Sequence, residues 1–254
     1  MATFEAELRA RWGASLHFSE SLDSTQQAGG QAGRAGAPEG SVFIAEQQTA
    51  GRGRHGQSWI SPPGVGIYAS LLLRPCRPAG KLLWLTLGAG LGVADAVQAT
   101  CDLEAEIRWP NDLLIAGKKF CGILTETATG EGGLLAVLGF GINVRAASLP
   151  ADVSAIATAL ELHTARPVAR GALANAAVEQ VLRRYAAWSL GEDEVVRAEF
   201  ERRSRYARGL AVSVEGRWRG VTEGLDADGF LRVRAPEGEL RTVVSGNVRP
   251  AAES

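Results

Sequence analysis

Between Thr49 and Trp59 the chain reads Thr-Ala-Gly-Arg-Gly-Arg-His-Gly-Gln-Ser-Trp, which puts pliable backbone, two guanidinium groups and an aromatic ring side by side. Gly51, Gly53 and Gly56 allow positive φ and close backbone approach, so successive N–H groups can converge on phosphate or carboxylate oxygens. Arg52 and Arg54 add planar donors that stay charged at physiological pH. The same residues also suit a solvated basic turn, or an Arg/Gly patch that tracks single-stranded nucleic acid. No Asp or Glu lies between Glu46 and Asp95, whereas Arg52, Arg54, Arg74, Arg77 and Lys81 do, so the region is electropositive by omission. The formal net charge is nevertheless -1, without the basic excess of a protein that coats nucleic acid. A focused anion site on a near-neutral chain fits this combination.

Three further segments could do chemistry. In Asp23-Ser24-Thr25-Gln26 the hydroxyl pair either caps a following short helix or clamps the polar head of a ligand. Arg108-Trp109-Pro110-Asn111-Asp112 ends an extended run with a proline stop, an amide and a carboxylate. That pattern is either a turn or the rim of a cleft, where Asp112 could help hold a magnesium ion accompanying a nucleotide. Lys118 and Lys119 sit at a hairpin tip before a buried run. One faces solvent, and the other can point at the same cleft and polarise a carboxylate or phosphate. Gly139-Phe140-Gly141-Ile142-Asn143 closes another strand with glycines that a ligand could approach.

The elements that must position these residues are legible as extended runs at Ser41 to Glu46, Gly66 to Leu73, Glu106 to Trp109, Gly122 to Thr127 and Leu134 to Asn143. Lys81 to Gln98, apolar all round with many small residues, reads as a helix packed tightly on that sheet. Ala151 to Leu162, Ala169 to Leu190 and Glu192 to Ser204 read as helices, and the Gly/Ala-rich Ala28 to Gly40 as a loop. After Arg208 come short strands at Ala211 to Glu215, Arg217 to Leu225, Phe230 to Arg234 and Arg241 to Ser245, with hairpin turns at Asp228-Gly229 and Glu237-Gly238. The expected class is α+β: a mixed sheet flanked by helices, then a small β-barrel that leans on the first domain.

With 254 residues and 46% hydrophobic content the chain can bury a substantial core. The charged N-terminal stretch has no apolar run of signal-peptide or membrane-span length, so a cytoplasmic protein without membrane attachment is the expectation. Cys76, Cys101 and Cys121 are odd in number and outside any CxxC spacing, and His17, His55 and His163 are scattered, so neither disulfides nor a histidine metal site is indicated.

Taken together and in order, Asp23-Ser24-Thr25, Gln48 with Gly51 to Gly56 and Trp59, Trp109-Pro110-Asn111-Asp112, Lys119 to Leu124, and Gly139 to Asn143 resemble the biotin protein ligases. The resemblance covers most of the chain. It implies a class II aminoacyl-tRNA synthetase-like sheet with a C-terminal SH3-like barrel, divided as a catalytic domain over 1–207 and the barrel over 208–254. It implies a two-step reaction: biotin and ATP give biotinyl-5'-AMP and pyrophosphate, and a lysine of a biotin carboxyl carrier protein then takes the biotinyl group. Ser24, Thr25, Gln48 and the Arg52–Arg54 backbone would contact biotin, with Gly51, Gly53, Trp59, Gly141 and Asn143 completing the site. Lys119 would stabilise charge at the carboxylate, and Arg54 would lock the closed loop. Asn111 and Asp112 would line the nucleotide and Mg2+ side, with Asp112 also a candidate partner for the acceptor proton. This chain departs from the family in having Arg108 where Lys is usual, and Gln26 where Asn is usual. Only about twenty residues precede Asp23, too few for a DNA-reading domain, so a monofunctional ligase without specific DNA binding is expected. Sheet-edge pairing to a carrier or to a second copy, as a homodimer, suits the family and is not decided by the residues. A lipoate or octanoyl ligase, or a protein that only sequesters biotin, is the alternative.

Overall fold

The computed structural model describes residues 3–130, 133–149 and 153–251. Seven strands form one mixed sheet: β1 (Leu16–Leu22), β2 (Val42–Gln48), β3 (Gly66–Leu73), β4 (Glu106–Arg108), β5 (Asp112–Ile115), β6 (Lys118–Gly130) and β7 (Gly133–Asn143). Their order is β1-β2-β3-β7-β6-β5-β4; β1 and β2 run parallel and the other neighbours antiparallel. β3 is buried along its whole length, as its apolar run requires.

Five helices complete the first part: α1 (Phe4–Trp12), α2 (Thr25–Arg34), α3 (Leu82–Cys101), α4 (Arg170–Ser189) and α5 (Asp193–Arg203). α3 lies between the sheet and α4, and is accordingly apolar on every side. Length and composition alone would let it cross a membrane, but 72% of that window is buried inside the protein. A Cβ on Gly92 would come within 3.0 Å of the α4 backbone at Gln180 and Val181, so the small residues of α3 let the helices approach closely.

The alternation of strand side chains assigns the two faces of the sheet different tasks. Ile67, Ala69, Leu71, Ala136, Leu138, Phe140 and Ile142 enter the main core with α3. Phe43, Leu72, Leu135 and Val137 point the other way and pack beneath α2 in a separate small cluster. Ser70, Gly139 and Gly141 alternate with the core residues and so share the α2 face.

Several expectations need correction. Ala28 to Gly40 is not all loop: α2 runs to Arg34, its glycines admitting the sheet, since a Cβ on Gly33 would lie 2.7 Å from Leu72. The helix expected over Ala151 to Leu162 is absent from its described part: Ala151 and Asp152 lie outside the described residues, and 153–162 holds turns, a bridge from Ala157 to Lys119 and a 3₁₀ turn at Leu160–Leu162. Its backbone bonds go to the sheet instead, as Lys119 N donates to Ile156 O and Thr158 N to Lys119 O. β1, β5 and α1 add elements that the apolar patterning did not mark.

The C-terminal strands β8 (Arg208–Val214), β9 (Trp218–Leu225), β10 (Leu231–Arg234), β11 (Leu240–Val243) and β12 (Val248–Pro250) form an antiparallel sheet in the order β11-β10-β9-β8-β12, consistent with a small SH3-like barrel. Gly229 and Gly238 take positive φ in the expected turns. The Asp226–Gly229 turn is bound to the first part: Trp84 Nε1 donates to Ala227 O, Trp109 Nε1 to Gly229 O at 3.0 Å, and Lys81 pairs with Asp228 at 2.7 Å. Replacing Trp109 with Phe keeps most of the buried ring but orphans the Gly229 carbonyl. It should lower unfolding free energy by about 1–3 kcal/mol in urea titrations; an unchanged midpoint would show that this bond does not hold the two parts together.

Candidate active site

The cleft opens on the α2 face of the sheet, over β3, β7 and β6, and the Gly/Arg loop covers it. Among the residues lining it are Ser24, Thr25, Gln48, Arg52, Arg54, Trp59, Asn111 and Lys119. Its floor is made by strand glycines. A Cβ on Gly141 would lie 2.3 Å from Trp59 Nε1, and one on Gly122 would lie 3.1 Å from Lys119 Nζ. The glycines thus let an indole and an ammonium lie flat on the sheet.

At the polar end, Ser24 precedes α2 with extended backbone, but its hydroxyl caps nothing. Gln48 takes over: its Oε1 accepts from Thr25 N at 2.9 Å, and its Nε2 donates to Ser61 Oγ at 2.8 Å. Ser61 Oγ in turn donates to Trp59 O at 3.1 Å, connecting this end to the loop. Ser24 Oγ is left buried and unbonded. Of four such atoms among the described residues, Ser24 Oγ and Trp59 Nε1 both belong to this cleft, the signature of a site built for a polar ligand.

At the other end stands Lys119. Strict alternation would send it to the core side with Cys121, but Phe120 is an extra residue: Leu113 pairs with Cys121 and Leu114 with Lys119. The bulge turns Lys119 onto the cleft face. Its Nζ pairs with Asp112 Oδ1 at 2.5 Å and lies 5.3 Å from the centre of the Trp59 ring. Lys118 is the lysine spent elsewhere, donating to Ser154 O.

Asp112 Oδ2 accepts from Arg108 Nη2 at 2.6 Å, so both its oxygens are paired. Burial pushes its carboxyl upward, but Lys119 and Arg108 together outweigh burial and hold it below the usual carboxylate range. A carboxylate so stabilised is a poor proton acceptor near neutrality, which argues against Asp112 taking the acceptor proton. Both its oxygens already face cations, so a metal there would have to displace Lys119 or Arg108. Arg108, committed to Asp112 and only 11% exposed, does not line the cleft.

The loop folds back on itself as a narrow hairpin. Trp59 N donates to Gly51 O, Gly53 N to Gln57 O, and Arg52 bridges Ser58. Only Gly56 of its three glycines uses positive φ, and His55 joins it at φ 55. Gly51 serves close approach instead, since a Cβ there would meet Trp59 O at 2.3 Å. Arg54 Nη1 donates to Asn111 Oδ1 at 3.0 Å and Asn111 Nδ2 to Ile123 O at 2.9 Å, so the loop is clamped to the β4–β5 turn. Burial draws the Arg54 guanidinium below its ordinary value, an effect opposed by the Asp112 charge. Arg52 reaches Gln27 and, at 3.8 Å, Glu126.

Three of the expected site residues stand outside the cleft lining: Asp112 sits behind Lys119, with which it pairs. Gly51 acts within the loop, and the buried Asn143 donates to Thr158 O behind Lys119. Ser70 and Gln26 are lining residues that motif reasoning did not assign. The signal for Ser70 was a hydroxyl inside an otherwise apolar strand. Burial pushes the Cys121 thiol up, so it is an inert core thiol.

This cleft, with a cationic end, a hydrogen-bonding end and a covering loop, on a mixed sheet followed by a small barrel, suits an elongated ligand with a polar head and an anionic tail. The profile described as the Biotin/lipoate A/B protein ligase family matches residues 18–143. The chain is 33% identical to the bifunctional ligase/repressor BirA of Bacillus spizizenii, over 93% of this chain and 74% of that protein. It is 31% identical to the biotin–[acetyl-CoA-carboxylase] ligase of Paracoccus denitrificans, over 84% and 90%. The structure of the Aquifex aeolicus biotin protein ligase in complex with biotin and ATP superposes with a TM-score of 0.81 at 26% identity, over 93% of this chain and 99% of that one. The chain belongs to the biotin protein ligase family.

The buried pairs make Asp112 the stability test. A carboxyl depressed in the folded state contributes stability that is present above its unfolded value and lost as pH falls through the folded value. Asp112→Asn strands two partly buried cations and should cost about 2–4 kcal/mol at pH 7. The gap to wild type should narrow as pH drops below the usual carboxylate range; a gap independent of pH in denaturant titrations would contradict the ion-pair assignment.

Proposed function

We propose that this cleft binds biotin with its ureido ring at Ser24, Thr25 and Gln48 and its carboxylate toward Lys119, and that the protein forms biotinyl-5'-AMP from ATP and passes the biotinyl group to a lysine of a biotin carboxyl carrier protein. The observation that carries this reading is the buried, unbonded Ser24 hydroxyl beside Thr25 and Gln48, set apart from the Lys119 ammonium by a glycine floor. Biotin needs that sequence of environments: a hydrogen-bonding head, an apolar ring and chain, and a terminal carboxylate. Octanoate and lipoate have no hydrogen-bonding head to match the polar end. Membership of the family and the likeness to a ligase solved with biotin and ATP support the same substrates.

In the first step a biotin carboxylate oxygen attacks the α-phosphorus of ATP and pyrophosphate leaves. Lys119 is proposed to hold the carboxylate in place and offset the charge that grows on the phosphoryl oxygens. Asp112 and Arg108 orient that lysine, making them positioning residues. Arg52, Gly53 and Arg54 offer loop donors to the adenylate, Asn111 anchors the loop, and Trp59 covers the Lys119 end. An acyl adenylate hydrolyses readily, so a clamped loop that excludes water protects it until the acceptor amine arrives. In the second step that amine attacks the acyl carbon and AMP leaves. Magnesium is assigned to the ATP phosphates, its ordinary site of action, and not to a protein cage. The division into a catalytic domain over 1–207 and a barrel over 208–254 is proposed on the same grounds.

The test is pyrophosphate release with biotin, lipoate, octanoate or no acid, followed by label transfer to an acceptor domain. Biotin alone should support release, and Lys119→Ala should slow adenylate formation about 10²-fold or more. Release driven by lipoate or octanoate, or full turnover by the Lys119 variant, would overturn the assignment.

A further inference from the structure

The polar end of the cleft can be counted proton by proton. Val137 O can only accept, and Gln26 Nε2 faces it at 3.1 Å while also reaching Glu126 Oε2 at 3.2 Å. This fixes the orientation of the Gln26 amide, since its reverse would set oxygen against two acceptors. Gln26 Oε1 therefore points at Ser70 Oγ, 2.9 Å away, and takes the Ser70 proton. Ser70 Oγ also lies 2.8 Å from Thr25 Oγ1, and Thr25 Oγ1 lies 3.1 Å from Gln48 Oε1. The Gln48 amide is fixed in turn, because its Oε1 accepts from Thr25 N.

The cluster thus holds three oxygen–oxygen contacts, Gln26–Ser70, Ser70–Thr25 and Thr25–Gln48, and only the two hydroxyl protons of Ser70 and Thr25 to fill them. One contact is always acceptor against acceptor. With the Ser70 proton on Gln26, the single Thr25 proton serves either Gln48 or Ser70, so Thr25 Oγ1 faces one opposed acceptor in either arrangement. Thr25, Gln26, Gln48 and Ser70 all line the cleft. Thr25, Gln26 and Ser70 are buried and Gln48 is half-buried.

We propose that Gln26 is a specificity-determining positioning residue: by drawing the Ser70 proton it leaves Thr25 one proton short between Ser70 and Gln48, so that the site demands an N–H donor from its ligand. This deepens the biotin reading and rests on it, since the ureido ring carries two N–H groups. Gln26 acts at one remove, through Ser70. An acid without an N–H at its head leaves two acceptors opposed within the cleft, an unfavourable arrangement that rejects it. Without the Gln26 acceptor, the Ser70 proton turns to Thr25, the Thr25 proton turns to Gln48, and every contact is satisfied without a ligand. Removing the Ser70 hydroxyl does the same by another route, leaving Thr25–Gln48 with the Thr25 proton.

The experiment is calorimetric titration of the full chain, wild type, Gln26→Leu and Ser70→Ala, with biotin and with two analogues in which each ring N–H is replaced in turn by oxygen to give a cyclic carbamate. Wild type should prefer biotin over at least one analogue by about tenfold or more. In both variants that ratio should fall toward unity, a change that loosened packing alone would not produce because it weakens all three ligands together. Ser70→Ala, the smaller perturbation, keeps the test intact should Gln26→Leu fold poorly. Ratios in the variants equal to wild type, or a wild type that binds biotin and both analogues equally, would overturn the proposal while leaving the biotin site standing. A wild type that binds biotin no better than octanoate would overturn the biotin reading, and this inference with it.

Discussion

One buried carboxylate organises the cationic half of the cleft. Asp112 stands at the start of a four-residue strand, between Arg108 at i−4 and Lys119 across the β5–β6 hairpin, and both partners reach it within 2.6 Å. The arrangement makes energetic sense only as a set, because a buried charge that loses a partner costs more than the pair contributes. Its consequence is geometric. Lys119, otherwise a mobile side chain, is pinned above Gly122 and under the Trp59 ring. Trp59 is the last residue of the Gly/Arg loop, so the position of one ammonium and the path of the loop are set together. Arg108 in place of the usual Lys keeps the charge at a position that faces Asp112 and not the cleft.

The sheet supports this by dividing its two faces between stability and chemistry. Side chains from alternate positions of β3 and β7 fill the core with α3. The intervening positions carry Ser70, Gly139 and Gly141, which give up apolar burial to make room for a polar network and a flat floor. The loop then adds a third layer, joined to the floor through Arg54 and Asn111 and to the polar end through Gln48 and Ser61. The loop is thus joined to both ends of the cleft through short, named contacts.

Much of this was legible in the residues. β3 was readable to the residue because a strand buried on both faces is a continuous apolar run. α3 betrayed itself by small residues on all sides, which only a helix squeezed between a sheet and another helix needs. β1 escaped notice because an edge strand, half exposed, mixes polar and apolar side chains. α2 was masked by glycines whose role is packing against Leu72 and Leu135, a tertiary demand that local propensity opposes. At the site, motif order located the cleft, but roles depended on contacts that sequence does not encode. The bulge at Phe120 decides which way Lys119 faces, and Asn143 works behind the sheet through Thr158. Ser70 and Gln26 became visible as a pair only when folding set them 2.9 Å apart.

The central claim is an orientation: the hydrogen-bonding head of the ligand at α2, its carboxylate at Lys119. The crystal structure of this protein with biotin tests it directly. A ring N–H within hydrogen-bonding distance of Thr25 and Gln48, about 2.7–3.2 Å between heavy atoms, with the carboxylate directed at Lys119, is the expected result. Biotin bound in the reverse sense, its carboxylate against Ser24 and its ring at Lys119, would contradict the account.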